Sequence, residues 1–303
     1  MYGIEFTEDA ATFRERALDF LSARPVTTSV VATTIARAIA EREQGIVRDP
    51  ERPWWFATVH QPTPDADHDG DGEVIGIAMR TAPMREPMIW VNEMPDDAAV
   101  QLAQRLYDRG ELIPGVNGSL PAAQVFADET ARIAGAQVGI GMHSRLFELG
   151  TAVPPTGVPG RLRTAVEDEA ELLFGWRSRF HTEATEQAGR DPDSERFEVD
   201  LDDTRRRIDS GTLWVWENEG EVVHFTGASL PAFGVSRIGP VFTPREHRGC
   251  GYAGAAVAGI SSRLVEQGAR VCLFTDQANP VSNDLYQRIG FRPVVDMANF
   301  TIS

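Results

Sequence analysis

The stretch RGCGYAG, residues 248–254, sets glycines at 249 and 251 directly ahead of a helical apolar stripe, Val257, Ile260, Leu264 and Val265. Glycines let a backbone approach a pyrophosphate closely, and the unpaired N–H groups at a helix start attract the anion. A chain carrying this turn is committed to a strand–loop–helix unit, and so to a sheet with helices packed on it. Two patterns overlap there. Read from Gly249 the stretch is G-x-G-x-x-G, the dinucleotide-binding turn; read from Arg248 it is R-x-x-G-x-A.

Context separates them. In a dinucleotide fold the strand runs almost directly into the first glycine, at the start of a long alternating sheet. Here TPREHR (243–248) separates Phe242 from Gly249, and only 27 residues follow Asp276, the acidic residue such a fold would use. The dinucleotide reading fails for space. The flanks agree with the second pattern instead. VFTPREHRGCGYAGAAV is followed, at suitable spacing, by NPVSNDLYQRIGFRP. In that order the two resemble the pyrophosphate loop and the closing helix and strand, N-x-x-x-N-x-x-Y-x-x-x-G-F, of the GNAT acetyltransferase superfamily. The resemblance covers roughly 161–303 well and 1–150 only in layout. It implies an α/β (α+β) chain of two GNAT-like domains in tandem, each a mixed, mostly antiparallel twisted sheet flanked by helices.

The pass along the chain supports that plan. TAVPPTGVPG (151–160), rich in proline and glycine, reads as a linker between domains at 1–150 and 161–303. After it come a strand RLRTA, a helix with Leu172, Leu173, Trp176 and Phe180 on one face, and a second helix ending at Gly211. Strands TLWVWENEG, EVVHFTGASL and SRIGPVF follow, the first two joined by a Glu-Gly turn. The glycine-loop helix, strand RVCLFT, a helix from Pro280 to about Ile289 and a last strand from Pro293 complete the order β-α-α-β-β-β-α-β-α-β. The first half shows a fainter version: helical patterns in 12–24 and 29–43, then strands, a helix at 95–110, LIPGVNG, a helix at 121–135 and VGIGMHSRLFEL. This repetition points to an internal duplication.

Composition narrows the function. The net charge of −16 lacks the cationic stripe that phosphate-backbone binding needs, which speaks against nucleic acid and favours a cationic small molecule such as an amine. No apolar run approaches the roughly 20 residues of a membrane span. The chain has no lysine, so Schiff-base and P-loop lysine chemistry are excluded. Two cysteines, Cys250 and Cys272, give no disulfide framework, and the acidic N-terminus shows no export leader; both point to a cytoplasmic setting. The aspartate-rich loop DADHDGDGE (65–73) starts like a calcium loop but has Gly76 at the twelfth position, so it reads as a solvated hairpin with no metal.

The resemblance assigns residues. It implies acetyl-CoA as cosubstrate, with backbone N–H groups from Arg248 through Gly249, Cys250, Gly251, Tyr252 and Ala253 holding the pyrophosphate. Pro240, Val241 and Phe242 are expected to pair with the pantetheine arm, beside a strand RVCLFT that splays away. Arg245, His247 and Arg248 add local positive potential. Asn279, with Pro280 after it, is first a helix cap and second a cofactor contact. Asn279, Asn283 and Tyr286 share one helical face. Tyr286 occupies the general-acid position: a phenol of pKa about 10 can reprotonate a thiol of about 8.5. The base is open among Glu183, His224, Asp276 and a water chain.

The first half departs from the family at VNEMPDDAAV (91–100), where three carboxylates stand in place of a glycine loop and would repel a pyrophosphate. It is therefore expected to be a degenerate GNAT-like half that binds no CoA and supports the second domain. Trp54, Trp55 and Trp90 are read as its core. The leading function is transfer of acetyl from acetyl-CoA to a primary amine of a small molecule. A catalytically silent CoA-binding protein and a protein or peptide acetyltransferase are the alternatives. The acceptor and the oligomeric state are left open.

Overall fold

The computed structural model describes residues 1–46, 54–62, 72–81, 88–187 and 200–303. Most of the aspartate-rich loop considered above for calcium lies outside the described residues. The chain packs as two compact units, Met1–Ser144 with Val295–Ser303, and Arg145–Val294.

The first unit opens with a strand that the helical patterning at 12–24 overshadowed, β1 (Gly3–Thr7). Asp9 then starts a helix by accepting a hydrogen bond from the Thr12 amide at 2.8 Å. The 12–24 pattern is not one helix: it divides into α1 (Ala10–Arg16) and α2 (Leu18–Ala23), with Ala17 between them. Next come α3 (Ser29–Glu43), β2 (Trp55–His60), β3 (Val74–Arg80), β4 (Ile89–Val91), α4 (Asp96–Asp108), β5 (Gly115–Ser119), α5 (Ala122–Ala134) and β6 (Val138–Leu149). β1 to β4 pair antiparallel in turn, and β4 pairs parallel with β5. Every residue of β2 is buried, as expected of a strand covered on both faces. α4 buries Ala98, Ala99, Leu102, Ala103 and Leu106, the i, i+3, i+4 stripe of a helix lying on a sheet. Of the three tryptophans read as core, Trp55 is buried, whereas Trp54 and Trp90 are only half-buried. Arg37 stacks over the Trp54 ring at 5.5 Å.

The second unit holds β7 (Arg161–Thr164), α6 (Ala170–Gln187), α7 (Leu201–Asp209), β8 (Leu213–Asn218), β9 (Glu221–Ala228), β10 (Val235–Phe242), α8 (Tyr252–Glu266), β11 (Arg270–Asp276) and α9 (Pro280–Arg288). Its strand order is β7-β8-β9-β10-β11-β6, antiparallel from β7 to β10 and parallel between β10 and β11. The Glu219–Gly220 turn joins β8 and β9 with both residues at positive φ, the conformation that matches the twist of a two-residue hairpin. Leu173, Trp176, Phe225 and Phe242 form one core layer, with ring centroids 6.0–6.3 Å apart among the three aromatics. Leu172 and Val265, placed in apolar stripes by spacing alone, are 41% and 50% exposed and stand at the edges of their helices' packed faces.

Both units run through one element order, strand, helices, three strands, helix, strand, helix, strand. The last strand, β12 (Phe291–Ile302), begins in the second unit and ends in the first. There Met297–Thr301 pair antiparallel with Ser119–Gly115, and Ala298 and Phe300 enter the first core. Segment 151–160 has neither helix nor strand and is tied to the second unit. Trp216 Nε1 donates to the Pro159 carbonyl at 2.8 Å, and the Val153 amide donates to Ile289 O at 3.0 Å.

Candidate active site

The loop between β10 and α8 is built by two left-handed residues. Gly249 has φ +80° and Gly251 φ +83°, a region where a side chain costs about 1–2 kcal/mol. Gly251 is also the N-cap of α8, and no side chain caps that helix. The consequence is a run of donors. The amides of Gly249 through Gly254 meet no acceptor among the described residues, the first backbone bond of the helix being Ala255 N to Gly251 O at 3.1 Å. Arg248, expected to contribute its amide, turns it back to the Arg245 carbonyl at 3.3 Å, so the donor run starts one residue later. The Tyr252 side chain is buried beside Trp216, with ring centroids 6.5 Å apart, which leaves its amide as its contribution to the loop. Ala253 likewise presents its amide.

The three basic side chains of the loop each face a carboxylate. Arg248 Nε donates to Thr243 O at 2.9 Å, and its Nη2 reaches Glu183 Oε2. Arg245 pairs with Glu186, and its Nε lies 3.6 Å from Glu183. His247 faces Glu221 at 3.6 Å. Cys250 is an exposed free thiol and Cys272 a buried one.

Beyond the loop the sheet opens. Register between β10 and β11 ends at Ile238↔Leu273, while β10 continues to Phe242 and β11 to Asp276. A bulge between Ile238 and Val241 bends β10, at Gly239 and Pro240, before Val241 and Phe242 rejoin β9. The β11-facing edge of Gly239–Phe242 therefore has no strand partner among the described residues, and its backbone groups can take an extended ligand as an added strand. Side chains there serve packing: Phe242 is buried against Trp176, and Val241 packs on the cluster of Val257, Leu273 and Phe291.

Tyr286 on α9 belongs to that cluster, 6% exposed, its ring edge-on to Phe291 at 6.1 Å. No described residue hydrogen-bonds its hydroxyl, and burial alone pushes the phenol above its ordinary value. Buried tyrosines normally find a partner for the O–H, so this hydroxyl is left for water or a ligand. Asn279 caps α9 as its sequence context indicates, accepting from the Ser282 amide at 3.2 Å. Asn283, expected toward the cofactor, locks α9 to the end of β11. Its Nδ2 donates to Asp276 O (2.9 Å) and Asn279 O (2.7 Å), and Thr275 donates to its Oδ1 (2.5 Å).

The base candidates are each engaged. Glu183 is 8% exposed, with Arg179 on Oε1 (2.9 Å) and Arg248 on Oε2. His224 is fully buried, with Nδ1 2.8 Å from Thr243 Oγ1 and Nε2 2.6 Å from Thr226 Oγ1, and burial pushes its pKa down to about 3. It anchors Thr243 at the start of the loop as a neutral ring. Asp276 Oδ1 accepts from the Ala278 amide at 2.8 Å, closing the turn into α9.

Sequence reasoning missed a set of arginines. Arg177 of α6, Arg207 of α7 and Arg237 of β10 line one cavity with Ile238, Gly239, Pro240, Phe180 and Phe274. The one available signal is the RRR run at 205–207, which lies in the second helix ending at Gly211. Among the described residues no group of three His, Cys, Asp or Glu is placed to hold a metal, and no helix is long and apolar enough to cross a membrane.

No curated protein matches the chain in sequence. Among solved structures it is similar to an acetyltransferase from the GNAT family of Colwellia psychrerythraea, at 10% identity and TM-score 0.54 over 99% of each chain. A Drosophila protein gives 12% identity and TM-score 0.67 over 100% of this chain and 99% of that one. A tandem GNAT protein from the clavulanic acid biosynthesis pathway gives 12% and 0.53 over 98% of each. At such identities the likeness is one of fold. In sequence, the model of the acetyltransferase (GNAT) family matches residues 173–291, the stretch holding the glycine loop, the opened strands and Tyr286. These residues form an acetyltransferase (GNAT) family domain.

Proposed function

We propose that the second unit binds acetyl-CoA and transfers its acetyl group to the primary amine of a small molecule. The observation that carries this is the row of unpaired amides at 249–254, set in a left-handed glycine turn at a helix start. The amides of Gly249–Gly254 hold the pyrophosphate, with Arg245 and Arg248 adding charge once they exchange their Glu183 and Glu186 partners for phosphate. The open edge of Gly239–Phe242 pairs with the pantetheine arm and points the thioester into the gap between β10 and β11.

The thioester supplies the acetyl group. The amine nitrogen forms the new C–N bond, the C–S bond breaks, and sulfur leaves with the bonding pair. Tyr286 gives that sulfur its proton. Burial raises the phenol, but the same apolar slot disfavours a thiolate, so the two groups remain matched. His224 is neutral with both ring nitrogens engaged, and Glu183 is held by arginines. We therefore assign the amine's proton to water, and reserve for His224 and Glu183 the task of shaping the loop.

The same reading leaves the first unit without a cofactor. There β4 pairs with β5 along its whole length, from Ile89↔Val116 to Val91↔Gly118, so no gap opens. A Cβ at Gly118 would collide with the Val91 carbonyl, which shows how tightly the two strands close. The helix that follows begins at Pro95 with Asp96 and Asp97 in its first turn, a start already saturated with negative charge.

The test is thiol release from acetyl-CoA with an amine panel, read together with the mass of the amine. Thiol release that depends on amine and yields a product heavier by one acetyl supports the proposal. Thiol release without acetylated amine, or none with any amine, contradicts it and favours a silent CoA-binding protein.

A further inference from the structure

The ring of Tyr286 is held by packing alone: it is buried, edge-on to Phe291, and no described residue bonds its hydroxyl. Apolar contact has no preferred direction, so it lets a helix slide by fractions of an ångström. The neighbouring Leu285 adds contact of the same kind, on the flank toward α8. A Cβ on Gly254 would meet its Cδ1 at 3.1 Å. What fixes the register of α9 must therefore be polar.

The polar lock stands three residues before the tyrosine. Asn283 Nδ2 donates to Asp276 O at 2.9 Å and to Asn279 O at 2.7 Å, and its Oδ1 accepts from Thr275 Oγ1 at 2.5 Å. Carbonyl oxygens only accept, so the side-chain amide can face one way only. Hydrogen bonds weaken steeply with distance and angle, and three on one side chain leave α9 a single seat. That seat is the part of β11 with least support from β10. The β10–β11 register stops at Leu273, and Thr275 and Asp276 lie beyond it. Thr275 is itself buried, and its other acceptor, Asp276 O, is more distant at 3.3 Å. Asn283 and Tyr286, three positions apart, share one face of α9.

We propose that Asn283 and Thr275 are positioning residues for Tyr286: their hydrogen bonds seat α9 on the open end of β11, so that the phenol stands where the thioester sulfur departs. This rests on the transfer reading above. Both polar atoms of Asn283 are spent on protein partners, so the pair acts through the tyrosine and not on the reacting atoms. A displacement of about 1 Å at a catalytic group can cost about 10²-fold in rate, so a loosened lock reaches turnover while binding is spared.

The experiment is a double-mutant cycle on kcat, with acetyl-CoA affinity measured separately by calorimetry. Thiol release is followed with whichever of L-alanine, ethanolamine and spermidine the wild type acetylates fastest. Thr275→Val keeps the branched shape and removes the donor, whereas Thr275→Ser keeps the donor. The expected result is that Thr275→Val lowers kcat by about tenfold while its Kd for acetyl-CoA stays within about threefold of the wild type. Thr275→Ser recovers most of that loss. In the Tyr286→Phe background Thr275→Val costs less than about twofold, because no phenol remains to be misplaced. Asn283→Ser, which removes both Nδ2 donations, is put through the same cycle with the same expected pattern, and it carries the test if circular dichroism shows Thr275→Val unfolded. The inference is overturned if kcat is unchanged in the folded variants, if acetyl-CoA affinity falls as far as kcat, or if the losses multiply in the double variant. No acetylation of any of these amines by the wild type would instead overturn the transfer reading, and full turnover in Tyr286→Phe would overturn the tyrosine's part in it.

Discussion

Tyr286 and His224 are both buried, and burial gives them opposite tasks. For Tyr286 it keeps the proton on the phenol, where the proposed transfer needs it for a departing sulfur, and no acceptor among the described residues competes for it. Tyr286→Phe removes one oxygen from an otherwise apolar site, so folding and acetyl-CoA affinity should hold. Turnover should fall by about 10²-fold or more, the usual worth of a positioned proton donor. Unchanged turnover would remove Tyr286 from the mechanism. For His224 burial keeps the proton off. Its folded value of about 3 lies below the ordinary 6.5, so the neutral ring's contribution to stability is complete above pH 6.5. That contribution is lost as pH falls from 6.5 toward 3, with a slope of about 1.4 kcal/mol per pH unit. Urea midpoints at pH 7 and pH 5 should therefore drop more for the wild type than for His224→Asn; parallel losses would contradict the burial argument. The tyrosine was legible because a motif fixes its place. The environment of His224, two threonine hydroxyls within a buried layer, follows from strand pairing that no local pattern encodes.

At the scale of elements the loop and the bend of β10 do the positioning. Gly251 combines φ +83° with the side chain of Val158, which a Cβ would meet at 3.1 Å. Gly251→Val should cost about 1–3 kcal/mol of stability through backbone strain and should abolish acetyl-CoA binding. Circular dichroism on the same sample shows that the variant is folded, and full binding by a folded variant would refute the cradle. These elements were readable because alternation, glycine turns and the Asn279–Pro280 cap are local signals. β1 escaped because five residues beside a strong helical pattern carry too little periodicity. Leu172 and Val265 misled because helical spacing marks a stripe without saying how far the neighbouring layer covers it. The arginines of the cavity come together only through tertiary packing, so each one alone reads as solvated.

Over the whole molecule the repeated element order was visible, but the path of the last strand was not. Residues 295–303 lie about 180 positions from the β5 residues they pair with, and no sequence pattern specifies which edge a terminal strand will join. The pairing makes the first unit depend on the chain's far end. Phe300 is fully buried among Val116, Phe126 and Leu102, so Phe300→Ala should destabilise the first unit by about 4 kcal/mol. Hydrogen exchange resolved by segment should show the loss in β2 to β5. Protection unchanged there would mean that the strand is not part of that core.

The most direct test of the central claim is a calorimetric titration of acetyl-CoA into the protein. The account predicts saturable binding at one site per chain, held by the amides at 249–254 and lost in Gly251→Val. No binding by the wild type, two sites per chain, or equal binding by the folded variant would contradict it.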